Sequence, residues 1–85
     1  MAEMKEDRFL DCGGMLCPMP VVRVSQQMAT LRAGQVLKVV TTDRGSIADM
    51  PAWAQDTGNQ VVDWQDEGRR QVFYLRKGAG GAPTI

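Results

Sequence analysis

Two cysteines, Cys12 and Cys17, are the side chains of this sequence with the clearest capacity for covalent chemistry. Cys17 stands directly before Pro18, and Pro20 follows two residues later. This spacing is typical of the first turn of a helix, where a missing backbone N–H leaves no hydrogen bond unmade. It predicts Cys17 at the N-cap and Pro18 at the first helical position. The helix dipole and the free N–H groups favour an anion there, and the anion of cysteine is the nucleophilic thiolate.

Two glycines and an aspartate precede this cysteine. Gly13 and Gly14 permit a tight turn that lifts the thiol away from the strand before it. Asp11 is expected to accept hydrogen bonds from backbone N–H groups of the turn. These residues favour an exposed, reactive Cys17 over the alternative that it is a small buried hydrophobe.

Cys12 has two interpretations. It falls in the predicted first strand, and free cysteine is among the most buried residue types, so the simpler interpretation is a core residue. The other is a second thiol that attacks a modified Cys17 across the glycine turn. Their spacing is not the C-x-x-C of thioredoxin-like oxidoreductases, and it does not define the separation that a disulfide requires. We expect Cys12 to be partly buried or turned away from Cys17.

The composition excludes several kinds of site. The sequence of 85 residues contains no histidine, which removes the usual base beside a catalytic cysteine and the commonest metal ligand. Neither a metal nor a cofactor is therefore expected. Ten basic and ten acidic residues give a formal net charge of +0, which argues against a nucleic-acid partner. No segment has the character of a signal peptide or a membrane span, so we expect no membrane insertion and a cytoplasmic location.

Hydrophobic periodicity predicts the elements that position the turn. Apolar residues recur at helical spacing after Pro18 and the pattern ends before Gly34, so the first helix is predicted over 18 to about 32. Pro51 suits a second helix only within its first turn, so that helix is predicted over 50–57, after an irregular turn that starts at residue 46. Alternating or β-branched runs predict four strands, over residues 8–12, 36–41, 60–65 and 71–77.

This order predicts an α+β two-layer sandwich with βαβαββ topology. Right-handed crossovers place both helices on one face of a mixed four-stranded sheet. One small domain is expected over residues 8–77. Residues 1–7 are predicted to be a disordered N-terminus, and 78–85 a flexible Gly-rich tail.

The pattern Asp11-x-x-Gly14-x-x-Cys17-Pro18-x-Pro20 resembles the signature of the TusA/SirA/YedF family of small sulfur-relay proteins. The resemblance implies a two-layer α/β sandwich and a sulfur carrier or sulfurtransferase. The cysteine that matches Cys17 would hold the sulfur as a persulfide. The other four signature residues would support that site.

The resemblance also implies partners. It covers about residues 9–77, including the second helix and the last strand. A carrier takes sulfur from a donor protein, such as a cysteine desulfurase, a rhodanese or a DsrE-like protein, and passes it to an acceptor protein. Cys12 departs from the simplest family pattern. It keeps open the alternative of a thiol-bearing regulatory or redox-sensing binding module that carries no sulfur.

Overall fold

A computed structural model of the protein describes residues 6–16 and 18–78; Cys17, residues 1–5 and residues 79–85 lie outside the described residues. None of the helices in the two described ranges is long and apolar enough to cross a membrane. The elements follow in the order β1 (Arg8–Cys12), α1 (Met19–Met28), β2 (Val36–Thr41), α2 (Ser46–Thr57), β3 (Gln60–Asp66) and β4 (Gln71–Arg76).

The four strands form one mixed sheet in the order β1-β2-β4-β3. β1 pairs in parallel with β2, and β4 is antiparallel to both of its neighbours. The register of β3 shifts between Val61 and Asp63, as in a β-bulge. The predicted α+β class, βαβαββ order and mixed sheet are confirmed.

Both helices contribute to one core against the sheet. Buried side chains four residues apart follow each helix, as its period requires: Pro20, Val24 and Met28 on α1, and Ser46, Met50 and Ala54 on α2. Three of these, Val24, Met28 and Met50, belong to the same core as side chains of β1, β2 and β4, namely Leu10, Cys12, Leu37, Val39, Phe73 and Leu75.

Helix α1 is shorter than predicted at its carboxyl end. After Met28 the chain forms tighter turns, in which the Leu31 N–H donates to the Met28 carbonyl at 3.1 Å. The Thr30 hydroxyl donates to the Gln27 carbonyl at 2.7 Å. It therefore competes with backbone N–H groups for a carbonyl that a continuing helix would use. Leu31 is nevertheless buried. The apolar periodicity therefore continues beyond the helix itself.

Helix α2 begins at Ser46, so the predicted irregular turn before Met50 is wrong. Ser46 is buried, and its hydroxyl donates to the Asp43 carbonyl at 2.8 Å. It also lies 2.6 Å from the hydroxyl of Thr41 at the end of β2. These contacts hold the first helical turn against the sheet. Pro51 consequently lies inside the helix, where its missing N–H removes one backbone hydrogen bond.

Hydrogen bonds extend one residue beyond each end of the predicted domain. The Asp7 N–H donates to the Val36 carbonyl at 2.8 Å, and the Val36 N–H donates to Oδ2 of Asp7, also at 2.8 Å. At the other end, the Gly78 N–H donates to Oδ1 of Asn59 at 2.8 Å. Asp7 and Gly78, which the sequence analysis assigns to the flexible ends, are thus tied to the sandwich.

Candidate functional site

A tight turn follows β1 and leads the chain toward Cys17. The Met15 N–H donates to the Cys12 carbonyl at 3.1 Å, which closes a four-residue turn. Gly14 is the third residue of this turn and has a φ of 82°. This is the left-handed region, which glycine adopts without steric cost. The requirement for glycine at position 14 therefore has a conformational cause.

Two side-chain oxygens hold the backbone of this turn. The Gly13 N–H donates to Oδ1 of Asp11 at 2.9 Å, as the sequence analysis predicts. The Gly14 N–H donates to Oγ1 of Thr42 at 2.8 Å. Both glycine N–H groups are thus satisfied by side chains, one from the end of β1 and one from the segment after β2.

Thr42 is a site residue that sequence reasoning missed. It lies 28 residues from Gly14 in the chain. The two meet because β1 and β2 pair in parallel, with Cys12 beside Thr41 in the register. The residues that follow both strands therefore lie at the same edge of the sheet. A hydroxyl directly after the second strand is the signal that could have identified Thr42.

The described residues on either side of Cys17 are apolar and exposed. Leu16 is 72% exposed and Met19 is 45% exposed. The Met19 N–H donates to the Leu16 carbonyl at 2.9 Å, so their backbones lie close together. Val22 is 40% exposed and lies one helical turn after Met19. Leu16, Met19 and Val22 are referred to below as the apolar rim.

Helix α1 starts one residue later than predicted. Pro18 is the N-cap: its carbonyl accepts the Val22 N–H at 3.2 Å, but its ψ of 13° is not helical. The prediction that Pro18 is the first helical residue, with Cys17 as the cap, is therefore wrong by one position. Pro20 is in the first turn, as expected. Cys17, the predicted nucleophile, lies outside the described residues.

Cys12 is fully buried at the end of β1. Burial raises the pKa of its thiol; the positive charge of Arg23 opposes this rise, and the carboxylate of Asp11 adds to it. The neutral thiol is therefore favoured, and a neutral, inaccessible thiol is a poor nucleophile. This burial agrees with the interpretation of Cys12 as a core residue.

A groove of about 350 Å³ runs between the two helices beside Pro18. The Nε1–H of Trp53 donates to Oγ of Ser25 at 2.9 Å, which joins α2 to α1 and orients the indole. The groove is lined by four apolar side chains and two carboxylates: Pro18, Val21, Ala52, Trp53, Asp49 and Asp56.

The loop after β2 also binds the β3–β4 hairpin. The guanidinium of Arg44 donates to the two carboxylate oxygens of Asp66 at 3.1 and 2.8 Å. The Arg44 hydrogen bonds, helped by a bond from the Gly68 N–H, lower the pKa of Asp66 to about 2. Thr42 and Arg44 thus connect one loop to both the turn before Cys17 and the hairpin.

Comparisons with known sequences point to one family. The profile of the family described as Sulfurtransferase TusA matches residues 8–77. YrkF of Bacillus subtilis is 44% identical over 75 residues, which are 88% of this chain but only 40% of YrkF. The sulfur carrier protein TusA of Allochromatium vinosum is 38% identical over 71 residues, or 84% of this chain and 93% of that protein. The chain thus spans less than half of one relative and nearly all of the other.

A solved structure has the same architecture. The crystal structure of the SirA-like protein of Desulfitobacterium hafniense matches with a TM-score of 0.73 and 25% sequence identity. The match covers 84% of this chain and 97% of that one. The sandwich described above therefore accounts for almost the whole of that protein.

Proposed function

Because the chain belongs to the TusA sulfurtransferase family, we propose that Cys17 carries sulfur as a persulfide between a donor protein and an acceptor protein. The family match over residues 8–77 and the sulfur carrier relatives support this role. The observation that supports Cys17 as the carrying residue is the turn that precedes it. That turn is held by Asp11 and Thr42 and is followed directly by the apolar rim.

The proposed transfer is a thiol exchange. The Cys17 thiolate attacks the terminal sulfur of a persulfide on the donor. A new S–S bond forms on Cys17, the donor's S–S bond breaks, and the donor leaves as a thiolate, so no net oxidation occurs. The acceptor's nucleophile repeats this step on the loaded Cys17. The exchange needs an accessible thiolate and a docked partner, and it needs no metal or neighbouring base.

The apolar rim supports docking of a protein partner. Direct exchange requires the partner's sulfur to approach Cys17 to bonding distance, which brings the two protein surfaces into contact. Exposed Leu16 and Met19 on either side of Cys17 offer apolar surface for that contact. The two hydrogen bonds to Gly13 and Gly14 restrict the backbone before Cys17, which lowers the entropic cost of aligning the sulfurs.

The burial of Cys12 favours a carrier over a sensor that uses both thiols. In such a sensor Cys12 would attack a persulfide on Cys17, release sulfide and leave a disulfide. A buried thiol with a raised pKa supplies little thiolate for that attack. A persulfide on Cys17 is therefore expected to survive until an acceptor removes it.

The donors that fit this exchange are proteins that form a persulfide themselves: a cysteine desulfurase, a rhodanese or a DsrE-like protein. The acceptor is a second protein with a nucleophile for the outer sulfur of the persulfide. A cytoplasmic location fits this role, because a reducing compartment keeps Cys17 available as a thiol between transfers.

Intact-mass spectrometry tests the proposal. We expect incubation with a cysteine desulfurase and cysteine, or with polysulfide, to add the mass of one sulfur atom that a thiol reductant removes. Cys17→Ser is expected to lose this addition, whereas the matched variant Cys12→Ala, which retains only Cys17, keeps it. If folded wild-type protein gains no sulfur from any donor class, sulfur carriage on Cys17 is refuted and the binding-module alternative is favoured.

A further inference from the structure

We propose that the groove between α1 and α2 receives a lysine or arginine side chain of the protein that exchanges sulfur with Cys17. This inference rests on the proposed function, because it concerns the partner of the same site. Pro18, which lines the groove, is the residue next to Cys17 in the chain. A protein that brings its own sulfur to Cys17 is therefore positioned to cover the adjoining end of the groove.

The chemistry of the groove suits a side chain with an apolar stem and a cationic end. Val21, Ala52 and Trp53 provide apolar surface for the methylene groups of a lysine or arginine. The indole of Trp53, a ring type that attracts cations, also lines the groove and is held by its hydrogen bond to Ser25. The charged lining residues, Asp49 and Asp56, are both acidic.

Asp56 is the lining residue whose charge favours a cationic occupant. Its side chain is exposed, and within the part of the chain that the structure describes its carboxylate has no hydrogen-bond or ion-pair partner. The chain has a formal net charge of +0, so the acidic character of the groove lining is a local property. Anionic sulfur compounds are disfavoured there. An uncharged apolar side chain would bury against the groove but would leave Asp56 without a partner as it loses water.

Exchange of Cys17 with two small disulfides of opposite charge tests this inference. Cystamine carries an ammonium on each two-carbon stem, and 3,3′-dithiodipropionate carries a carboxylate on stems of the same length. In both reactions the Cys17 thiolate forms a mixed disulfide and displaces the other half of the reagent as a thiolate. Each rate is divided by the rate of the same reagent with free cysteine. The normalised ratio is the normalised rate of cystamine divided by that of dithiodipropionate. We expect this ratio to exceed one at low salt and to fall as salt increases, because salt screens the charges.

Two variants assign the selectivity to the groove. Asp56→Asn keeps the shape of the side chain and removes its charge. We expect it to lower the normalised ratio by about two- to fivefold, because one nearby charge has an effect of that size in a water-like dielectric. Asp63→Asn, the matched control, makes the same change at an exposed position of β3, outside the groove, and is expected to leave the ratio unchanged. A wild-type ratio of one would indicate an uncharged occupant, and a ratio below one an anionic occupant. Either result, or equal effects of the two variants, overturns the proposal.

Loading from two kinds of donor separates this inference from the proposed function. With a cysteine desulfurase as donor, Asp56→Lys is expected to slow loading of Cys17, whereas Asp63→Lys is not. With inorganic polysulfide as donor, Asp56→Lys is expected to load at least as fast as wild type. Equal loading of both lysine variants by the desulfurase would overturn the groove inference alone. A wild-type protein that no donor loads would refute sulfur carriage, while the disulfide ratio would still report on the groove.

Discussion

Two hydrogen bonds fix the backbone just before Cys17, and each depends on a single side-chain oxygen. Oδ1 of Asp11 accepts the Gly13 N–H, and Oγ1 of Thr42 accepts the Gly14 N–H. The Asp11 bond is local, and its pattern could be predicted from an aspartate ahead of glycines. The Thr42 bond depends on the parallel pairing of β1 and β2, so it follows from tertiary structure and not from a local motif.

Replacement of Thr42 tests its role in positioning. Thr42→Val keeps the shape of the side chain but removes the acceptor of the Gly14 N–H, so we expect a loss of about 1 kcal/mol in stability and slower sulfur loading. Thr42→Ser keeps the hydroxyl and is expected to restore the loading rate. The measurements are the rate of persulfide formation and the free energy of unfolding. Equally slow loading of both variants would contradict this role of the hydroxyl, because the serine variant retains it.

The buried thiol of Cys12 predicts a dependence of stability on alkaline pH. Its pKa is raised in the folded protein, so the unfolded chain loses this proton first as the pH rises. The contribution is fully present below the ordinary thiol pKa and declines above it. Denaturant unfolding between about pH 7 and pH 10 measures the decline in a Cys17→Ser background. Adding Cys12→Ala is expected to make the decline smaller, and an unchanged slope would contradict this assignment.

At the scale of elements, the strands follow their sequence patterns more closely than the helices do. Alternation and β-branched residues predicted all four strands to within one residue at each end. Helix ends depend on contacts that periodicity does not encode. Leu31 continues the apolar pattern of α1 outside the helix, and Ser46 starts α2 because it is buried beside Thr41.

The ion pair between Arg44 and Asp66 joins the loop after β2 to the hairpin and predicts sensitivity to acid. The pKa of Asp66 is lowered to about 2, so the pair stabilises the fold above the ordinary carboxyl pKa. That contribution is lost as the pH falls from about 4 toward 2. Asp66→Asn is expected to reduce the loss of stability across this interval, by a modest amount because both side chains reach solvent. Asp63→Asn serves as the control, and equal acid profiles for the two variants would contradict the assignment.

At the scale of the whole molecule, the segment after β4 packs against the residue that ends α2, in a contact that only glycine permits. Gly78 lies against the backbone of Gly58, and a Cβ at position 78 would collide with the Gly58 carbonyl oxygen. Gly78→Ala must displace this segment and disturb the hydrogen bond to Asn59, so we expect a loss of about 1–3 kcal/mol in thermal or denaturant unfolding. Gly45→Ala, where the nearest contact is the Asp43 side chain at 3.4 Å, is the control and is expected to have little effect.

The features assigned to sulfur exchange are built from residues that lie near Cys17 in the chain or pack against them. Leu16 and Met19 of the apolar rim precede and follow Cys17 in the chain, and Pro18 lines the groove. Elsewhere, the amino group of Lys38 lies 5.8 Å from the ring centre of the exposed Phe9 and 5.7 Å from that of Tyr74. Cys17 as the reactive thiol stays a prediction from the sequence, whereas the groove could be found only from the packing of the two helices.

Localisation of the transferred sulfur within the loaded protein tests the central claim most directly. Trypsin is expected to release both cysteines in one peptide, residues 9–23, so fragment ions must distinguish Cys12 from Cys17. After loading by a cysteine desulfurase and alkylation of the persulfide, we predict one additional sulfur on Cys17 and none on Cys12. An additional sulfur on Cys12, or a disulfide between the two cysteines in place of the persulfide, would contradict the assignment of Cys17 as the sulfur carrier.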